Sequence, residues 1–290
     1  MNPVYIIGTG AMGCLWGQYL SSTSEIIYIT RDKHRPSTRI LCESSGDHFT
    51  TQLIPANVID QGIQRVIVAT KAFDALGALE SIRHRLSEDA DILLLQNGMG
   101  AQQRVASAFS SHAVYACSST EGAYKTSETS WIHAGKGENQ IGAMTPKASL
   151  EGLRSWLPPS LFHWQDDISL VLWRKLLVNA AINPLTVIHQ CQNGQLLSIP
   201  EAAQQMSHIC GELDELVNAL ALPLPPSLPM AQSVCEKTAK NFSSMYQDHV
   251  HGRRTEIEYI TGYVLQQCKV TGVACPTNEA VYTKVVEAKS

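Results

Sequence analysis

The chain has 290 residues, 44% of them hydrophobic, which is ample for a buried core and for more than one domain. Its net charge of -4 offers no basic field for nucleic acid, and no charge run marks a disordered tail. No stretch approaches the roughly 20 apolar residues that span a bilayer, and the start lacks the pattern of a signal peptide, so a cytoplasmic protein with no membrane or nucleic-acid partner is expected.

The first half alternates strand-like and helix-like runs. VYIIGTG is a short apolar strand ending in glycines, and AMGCLWGQYLSS reads as a helix. EIIYIT is a second strand. RVIVAT and DILLLQ are further apolar runs, with the helical pattern AFDALGALESIRHRL between them. AVYACSS and the segment from Trp131 to Ile141 look like later strands. This order predicts a mainly parallel sheet covered on both faces. From about Ile168 helical periods dominate, at 168–189, 200–221, 227–245 and 253–271, with the proline-rich ALPLPPSLP as a stiff connection. The expected architecture is α/β: a Rossmann-type N-terminal domain, 1–166, followed by an all-helical C-terminal domain, 167–290. The eight cysteines form no CxxC pair and no metal-ligand spacing, so free thiols and no metal are expected.

GTGAMG, Gly8 to Gly13, fits GxGxxG between the first strand and the first helix, the context the motif requires. Gly8 permits the tight turn, Gly10 lets backbone approach a pyrophosphate, and Gly13 allows close helix–strand packing. The helix start supplies free N–H groups and a positive dipole end for phosphates. The intervening Thr9, Ala11 and Met12 share that contact. The second strand ends in YITRD, where an NAD site usually carries an acid for the ribose diol. Arg31 there suits a 2'-phosphate through charge and a planar fork, which predicts NADPH/NADP+; Asp32, one residue on, keeps NAD as the alternative. Lys71 in VATKAF and Asn97 in LLLQNGMG stand just past apolar runs, where ligands of open α/β sheets bind. Each also fits a surface loop, and Asn97–Gly98 a tight turn.

WRKLLVNAAINPLTVI reads as a buried helix, yet Lys175, Asn179 and Asn183 sit four apart and project from one face. Carboxamides in that setting need hydrogen-bond partners, either a polar seam between helices or a small polar ligand. Pro184 is expected to kink or end the helix just after Asn183, and CQNG, with Asn193, forms a turn beyond it. A second polar set, NFSSMYQDHVHGRRTEIEYITG, offers Ser244, Asp248 and Glu256. Taken singly, Ser243 and Ser244 fit a helix start and Glu256 a solvated charge.

The segments GTGAMG, TKAF, QNGMG, WRKLLVNAAINPLTVI, CQNG, SSMYQD and GRRTEIEYITG together resemble the ketopantoate reductase (2-dehydropantoate 2-reductase) family, over essentially the whole chain. The resemblance implies NADPH as cofactor and a small 2-oxo acid as substrate. It makes Lys175 the general acid, and Asn179, Asn183, Asn193 and Ser244 substrate-binding positions. Glu256 matches an acid near the nicotinamide ribose and the catalytic lysine, and Asn97 a residue touching both cofactor and substrate. Arg31 and Lys71 match cofactor-side positions, and Ala123, in SSTEGAY, a backbone contact to the cofactor. TEIEY carries Glu258 where the family often has Asp.

In the implied reaction, negative charge grows on the C2 carbonyl oxygen as hydride arrives, and Lys175 stabilises and then protonates it. The alternatives are a related NADPH-dependent reductase of another 2-oxo acid, since fold does not fix function, and a non-catalytic NADP(H)-binding sensor. The sensor would have no need of Lys175 with Glu256 and three asparagines. The sequence leaves monomer and homodimer open.

Overall fold

The computed structural model describes residues 3–31, 38–44, 47–55, 62–127 and 130–288. The backbone groups them into two units: 1–96 with 101–168, and 97–100 with 169–290. Asp32 lies outside the described residues.

The first unit is an α/β layer structure. Strands β1 (Val4–Ile7), β2 (Ile26–Thr30), β3 (Thr38–Ser44), β4 (Asp47–Pro55), β5 (Ile63–Val68), β6 (Leu86–Leu94), β7 (Ala113–Ser119), β8 (Gly122–Lys125), β9 (Ser130–Gly135), β10 (Asn139–Ala143) and β11 (His163–Trp164) form one sheet. Their order is β11-β10-β7-β6-β5-β1-β2-β4-β3-β9-β8. The central run from β7 to β4 is parallel throughout. Alternation along β1 explains its two buried faces. Val4 and Ile6 join Trp16, Leu20 and Tyr28 on one side; Tyr5 and Ile7 join Val66, Val68, Leu79 and Val105 on the other. Helix α1 (Ala11–Leu20) covers the first side, and α2 (Ala75–Glu80) and α3 (Ala101–Ala108) the second. β1 and β5 are neighbours, and the chain runs out from them in opposite directions across the sheet. That is a topological switch point, with the glycine loop after one strand and Thr70–Lys71 after the other.

The expected helix over 72–86 is broken. A 3-10 turn at Ala72–Asp74 precedes α2, and another at Arg83–Arg85 follows it. Strands β3, β4 and β8 carry no expected counterpart, and the segment from Trp131 to Ile141 is two strands, not one. α4 (Leu150–Arg154) completes the unit, with the Ser149 hydroxyl accepting from Gly152 N–H as its cap.

The second unit is helical: α5 (Ile168–Ile188), α6 (Pro200–Ala219), α7 (Ser227–Lys237), α8 (Ser244–Val250), α9 (Thr261–Thr271) and α10 (Pro276–Glu287). α6 is amphipathic, burying Ala202, Met206, Ile209, Leu213, Leu216 and Val217. Two of its acids start other helices. Asp214 accepts from the Ser227 N–H at α7, and Glu212 accepts from the Thr277 and Asn278 N–H groups at α10.

Five expectations are corrected. α5 continues through Pro184 to Ile188; every residue from Ala180 to Val187 is buried, and that packing outweighs a proline cost of about 3 kcal/mol. α5 is also long and apolar enough to cross a bilayer by length and composition, but 67% of its most apolar window is buried inside the protein. The single helix expected over 227–245 is two. The chain breaks because Ala239 and Asn241 turn their carbonyls to the N–H groups of Gly194 and Asn193. The helix expected over 253–271 begins only at Thr261, after a 3-10 turn at Ile257–Tyr259. Finally, Cys268 and Cys275 form a disulfide. Gly272, in the left-handed region, ends α9 and turns the chain back, leaving their Cα atoms 6.6 Å apart. Cys14, Cys117, Cys191, Cys210 and Cys235 are thiols outside any disulfide among the described residues.

Candidate active site

The glycine loop follows β1. Gly8 has φ +107, and a Cβ there would lie 2.8 Å from the Ala69 carbonyl, so only glycine fits. A Cβ on Gly13 would come within 2.1 Å of the Gly8 carbonyl oxygen. Gly10 differs: its nearest neighbour is the Ala69 oxygen at 4.0 Å, so its surroundings are open. Gly10 also caps α1, with no side-chain cap bond and no acid in the first turn. The N–H groups of Ala11, Met12 and Gly13 therefore have no carbonyl partner within their helix and point their positive ends outward. At adjacent strand ends, Thr70 Oγ1 and Gln96 Oε1 are buried without a hydrogen-bond partner among the described residues. A close backbone, an uncapped helix start and the orphaned Thr70 hydroxyl fit a dinucleotide phosphate, whereas Gln96 Oε1, an acceptor, has no part in holding an anion.

Two further groups border this loop. Lys125 Nζ donates to the Thr9 carbonyl at 2.8 Å. Period-two alternation gives Ala123 the same face of β8 as Lys125. Burial pushes the Cys14 thiol up, with the Lys125 ammonium partly offsetting it, so Cys14 is a neutral packing residue. Arg31 follows β2 with its side chain 74% exposed, and its guanidinium binds the Asp74 carboxylate at 2.6 Å. Lys71 is half-buried and begins the 3-10 turn that carries Asp74; its carbonyl accepts the Asp74 N–H.

The second unit gathers the other chemistry. Asn97 belongs to this unit, because its loop packs on the helices. Lys175 Nζ donates to Asn97 Oδ1 at 2.7 Å. Met99 N–H donates to the Tyr259 carbonyl at 2.8 Å, and a Cβ on Gly98 would strike that same carbonyl at 2.2 Å. The loop is thus fastened on one side to α5 and on the other to the turn that Glu256 opens. Tyr259 N–H closes that turn on the Glu256 carbonyl, and Glu256 itself is 5% exposed. Lys175, Asn97 and Glu256 are brought into one neighbourhood by this loop.

Along α5, Asn179 is half-buried and Asn183 is buried. At 1.5 Å rise per residue the stripe from Lys175 to Asn183 spans about 12 Å. Thr186 donates to the Asn183 carbonyl and shares a 2.6 Å bond with the Ser243 hydroxyl. Ser243 also accepts the Tyr246 N–H as the cap of α8. Ser244 is the exposed first residue of that helix. Asn193 is buried beyond the end of α5. Its Nδ2 donates to Thr238, while its Oδ1 has no partner among the described residues. Asp248 is occupied structurally, accepting from Arg253 at 3.0 Å.

Sequence reasoning did not single out Lys125, Asp74 or Thr186. Ser243 appeared there only as a helix start, a role it fills while also tying α8 to α5. Its N-cap spacing before Tyr246 was readable; the Thr186 partnership, across 57 residues, was not.

Two adjoining family profiles match the chain: ketopantoate reductase PanE/ApbA over 4–146 and ketopantoate reductase PanE/ApbA C terminal over 167–289. A 2-dehydropantoate 2-reductase of Vibrio cholerae is 32% identical, covering 98% of this chain and 97% of the relative. The crystal structure of a probable 2-dehydropantoate 2-reductase from Bacillus subtilis superposes with a TM-score of 0.82 at 28% identity, covering 99% and 100% of the two chains. A D-mandelate dehydrogenase, in ternary structure with NADH and anilino(oxo)acetate, superposes with a TM-score of 0.84 at 22% identity over 99% and 98%, a likeness of fold alone.

Proposed function

Because this chain belongs to the ketopantoate reductase family, and so to the NAD(P)-dependent oxidoreductases, we propose that it reduces 2-dehydropantoate to pantoate with NADPH in the cytoplasm, as a step of pantothenate biosynthesis. Bound NADPH supplies the hydride that reaches the C2 carbonyl carbon. The backbone from Gly8 to Gly13, including Thr9, Ala11 and Met12, holds its pyrophosphate. Arg31 takes the 2'-phosphate, and Lys71, Asn97, Ala123 and Glu256 complete the cofactor contacts.

Lys175 acts on the substrate oxygen. Its ammonium opposes the negative charge that grows there and then gives up a proton to form the hydroxyl. The observation that carries this reading is the 2.7 Å bond from Lys175 to Asn97. The acceptor is an uncharged amide oxygen, so this bond orients the ammonium without itself adding a counter-charge. Asn179, Asn183, Asn193 and Ser244 hold the acid by directional hydrogen bonds; the buried Asn193 Oδ1, without a partner among the described residues, supports that role.

The test is NADPH consumption by the purified protein on 2-dehydropantoate, beside pyruvate, 2-oxoisovalerate and an aryl 2-oxo acid. Turnover concentrated on 2-dehydropantoate is expected. Faster turnover on another acid would make the protein a reductase of that acid. NADPH binding with no turnover on any of them would make it a non-catalytic binder.

A further inference from the structure

An arginine at the end of β2 recognises a 2'-phosphate because its guanidinium offers a planar pair of N–H donors. In this chain that pair is already engaged. Arg31 Nη2 and Nη1 donate to the two oxygens of Asp74 at 2.6 and 3.4 Å, a two-point carboxylate–guanidinium contact. The partner comes from a separate piece of chain, the 3-10 turn that follows β5.

Two consequences follow from charge. First, a 2'-phosphate that binds Arg31 must share the guanidinium with a carboxylate or displace it, and either way two anions approach one another. Arg31 is 74% exposed, so the pair is weak and can rearrange. Second, a carboxylate beside the position of the adenosine ribose accepts hydrogen bonds from a free 2'-hydroxyl. Acids at the second strand end of NAD sites do the same. Among the described residues β2 ends at Thr30 and Arg31 follows it, neither of them acidic; Asp74 brings an acid to that end from the 3-10 turn after β5.

Resting on the cofactor reading above, we propose that Asp74 is a specificity-determining residue. It holds the phosphate-reading arginine, limits the preference for NADPH and admits NADH as a second, weaker cofactor. Arg31 favours the phosphate and Asp74 favours the hydroxyl, so the pair reads both.

The test is calorimetric titration of the full chain with NADP+ and with NAD+, for wild type and Asp74→Asn. The substitution keeps the shape and removes one charge. A unit charge about 5 Å from a phosphate dianion, in water and at physiological salt, corresponds to an affinity change of about five-fold. NADP+ should therefore bind Asp74→Asn about five-fold more tightly, while NAD+ binds no better than before. An equal change for both nucleotides, no change for either, or weaker NADP+ binding would overturn the inference while leaving the cofactor reading intact. Wild-type protein that binds neither nucleotide would refute the cofactor reading and the inference together.

Discussion

Removing the Asn97 side chain tests whether the catalytic amine works as a positioned unit. The loop that carries Asn97 stays docked without it. Met99 N–H bonds the Tyr259 carbonyl, and Gly98 packs on that same backbone. Asn97→Ala therefore leaves the loop in place and deletes the acceptor 2.7 Å from the Lys175 ammonium, together with the cofactor contact proposed for Asn97. A hydrogen bond to a charged group contributes about 1.5–3 kcal/mol, so kcat/KM should fall by about 10- to 150-fold. Lys175→Ala should cost about 10²- to 10⁴-fold, the usual contribution of a positioned acid. If Asn97 acts only by holding Lys175, the double variant is no worse than Lys175→Ala alone. If the two act independently, their losses multiply and the double variant is at least tenfold worse. The assay is NADPH oxidation with 2-dehydropantoate, with NADPH affinity measured separately to show that the cofactor still binds. Multiplying losses would refute the positioning argument. Asn97→Asp adds a second check: it keeps an acceptor but sets a counter-charge on the ammonium, so it should also be slow. A wild-type rate for that variant would mean that position alone matters and charge does not.

Gly13→Ala should weaken NADPH binding more than it lowers stability, because its Cβ would meet the Gly8 carbonyl oxygen at 2.1 Å and push α1 off the loop. Fluorescence titration with NADPH beside a thermal melt separates the two; unchanged affinity would remove the glycine loop from the cofactor site. Ser243→Ala should destabilise the protein by about 1–3 kcal/mol, since it removes the α8 cap and one partner of the buried Thr186 hydroxyl. Ser244→Ala, at the exposed next position, should change stability by less than about 0.5 kcal/mol and raise KM for the oxo acid. Denaturant unfolding and steady-state kinetics would show the opposite pattern if the two serines exchange roles.

The order of strands and helices in the first unit was legible because the signals are local. A strand buried on both faces is a short apolar run, and the glycine loop must follow it directly. β3, β4 and β8 were not legible in the same way: they pair antiparallel with strands next to them in sequence, and TRILCES, DHFTTQLIP and GAYK mix polar with apolar residues instead of forming one apolar run. The second unit shows where local reading stops. A helical period runs through 227–245, but the helix breaks because the backbone at 239–241 bonds to Asn193 and Gly194, about 45 residues earlier in the chain. Pro184 taught the converse: a strong local breaker yields when its whole neighbourhood is buried.

The polar stripe on α5 divides along the same line. Four-residue spacing was enough to set Lys175, Asn179 and Asn183 on one face, since helix geometry alone fixes it. What the stripe faces was not in the spacing. Lys175 meets Asn97, 78 residues away, through a loop that continues from a strand of the first unit yet packs with the helices. Arg31 poses the same problem in sharper form. Its position at the end of β2 predicts a phosphate ligand, and that inference holds only while the guanidinium is considered alone. Asp74, reached through a turn 43 residues on, changes the charge the ligand meets. Residue type and strand position therefore name the kind of ligand, whereas the partner brought in by the fold sets how strongly one cofactor is chosen over another.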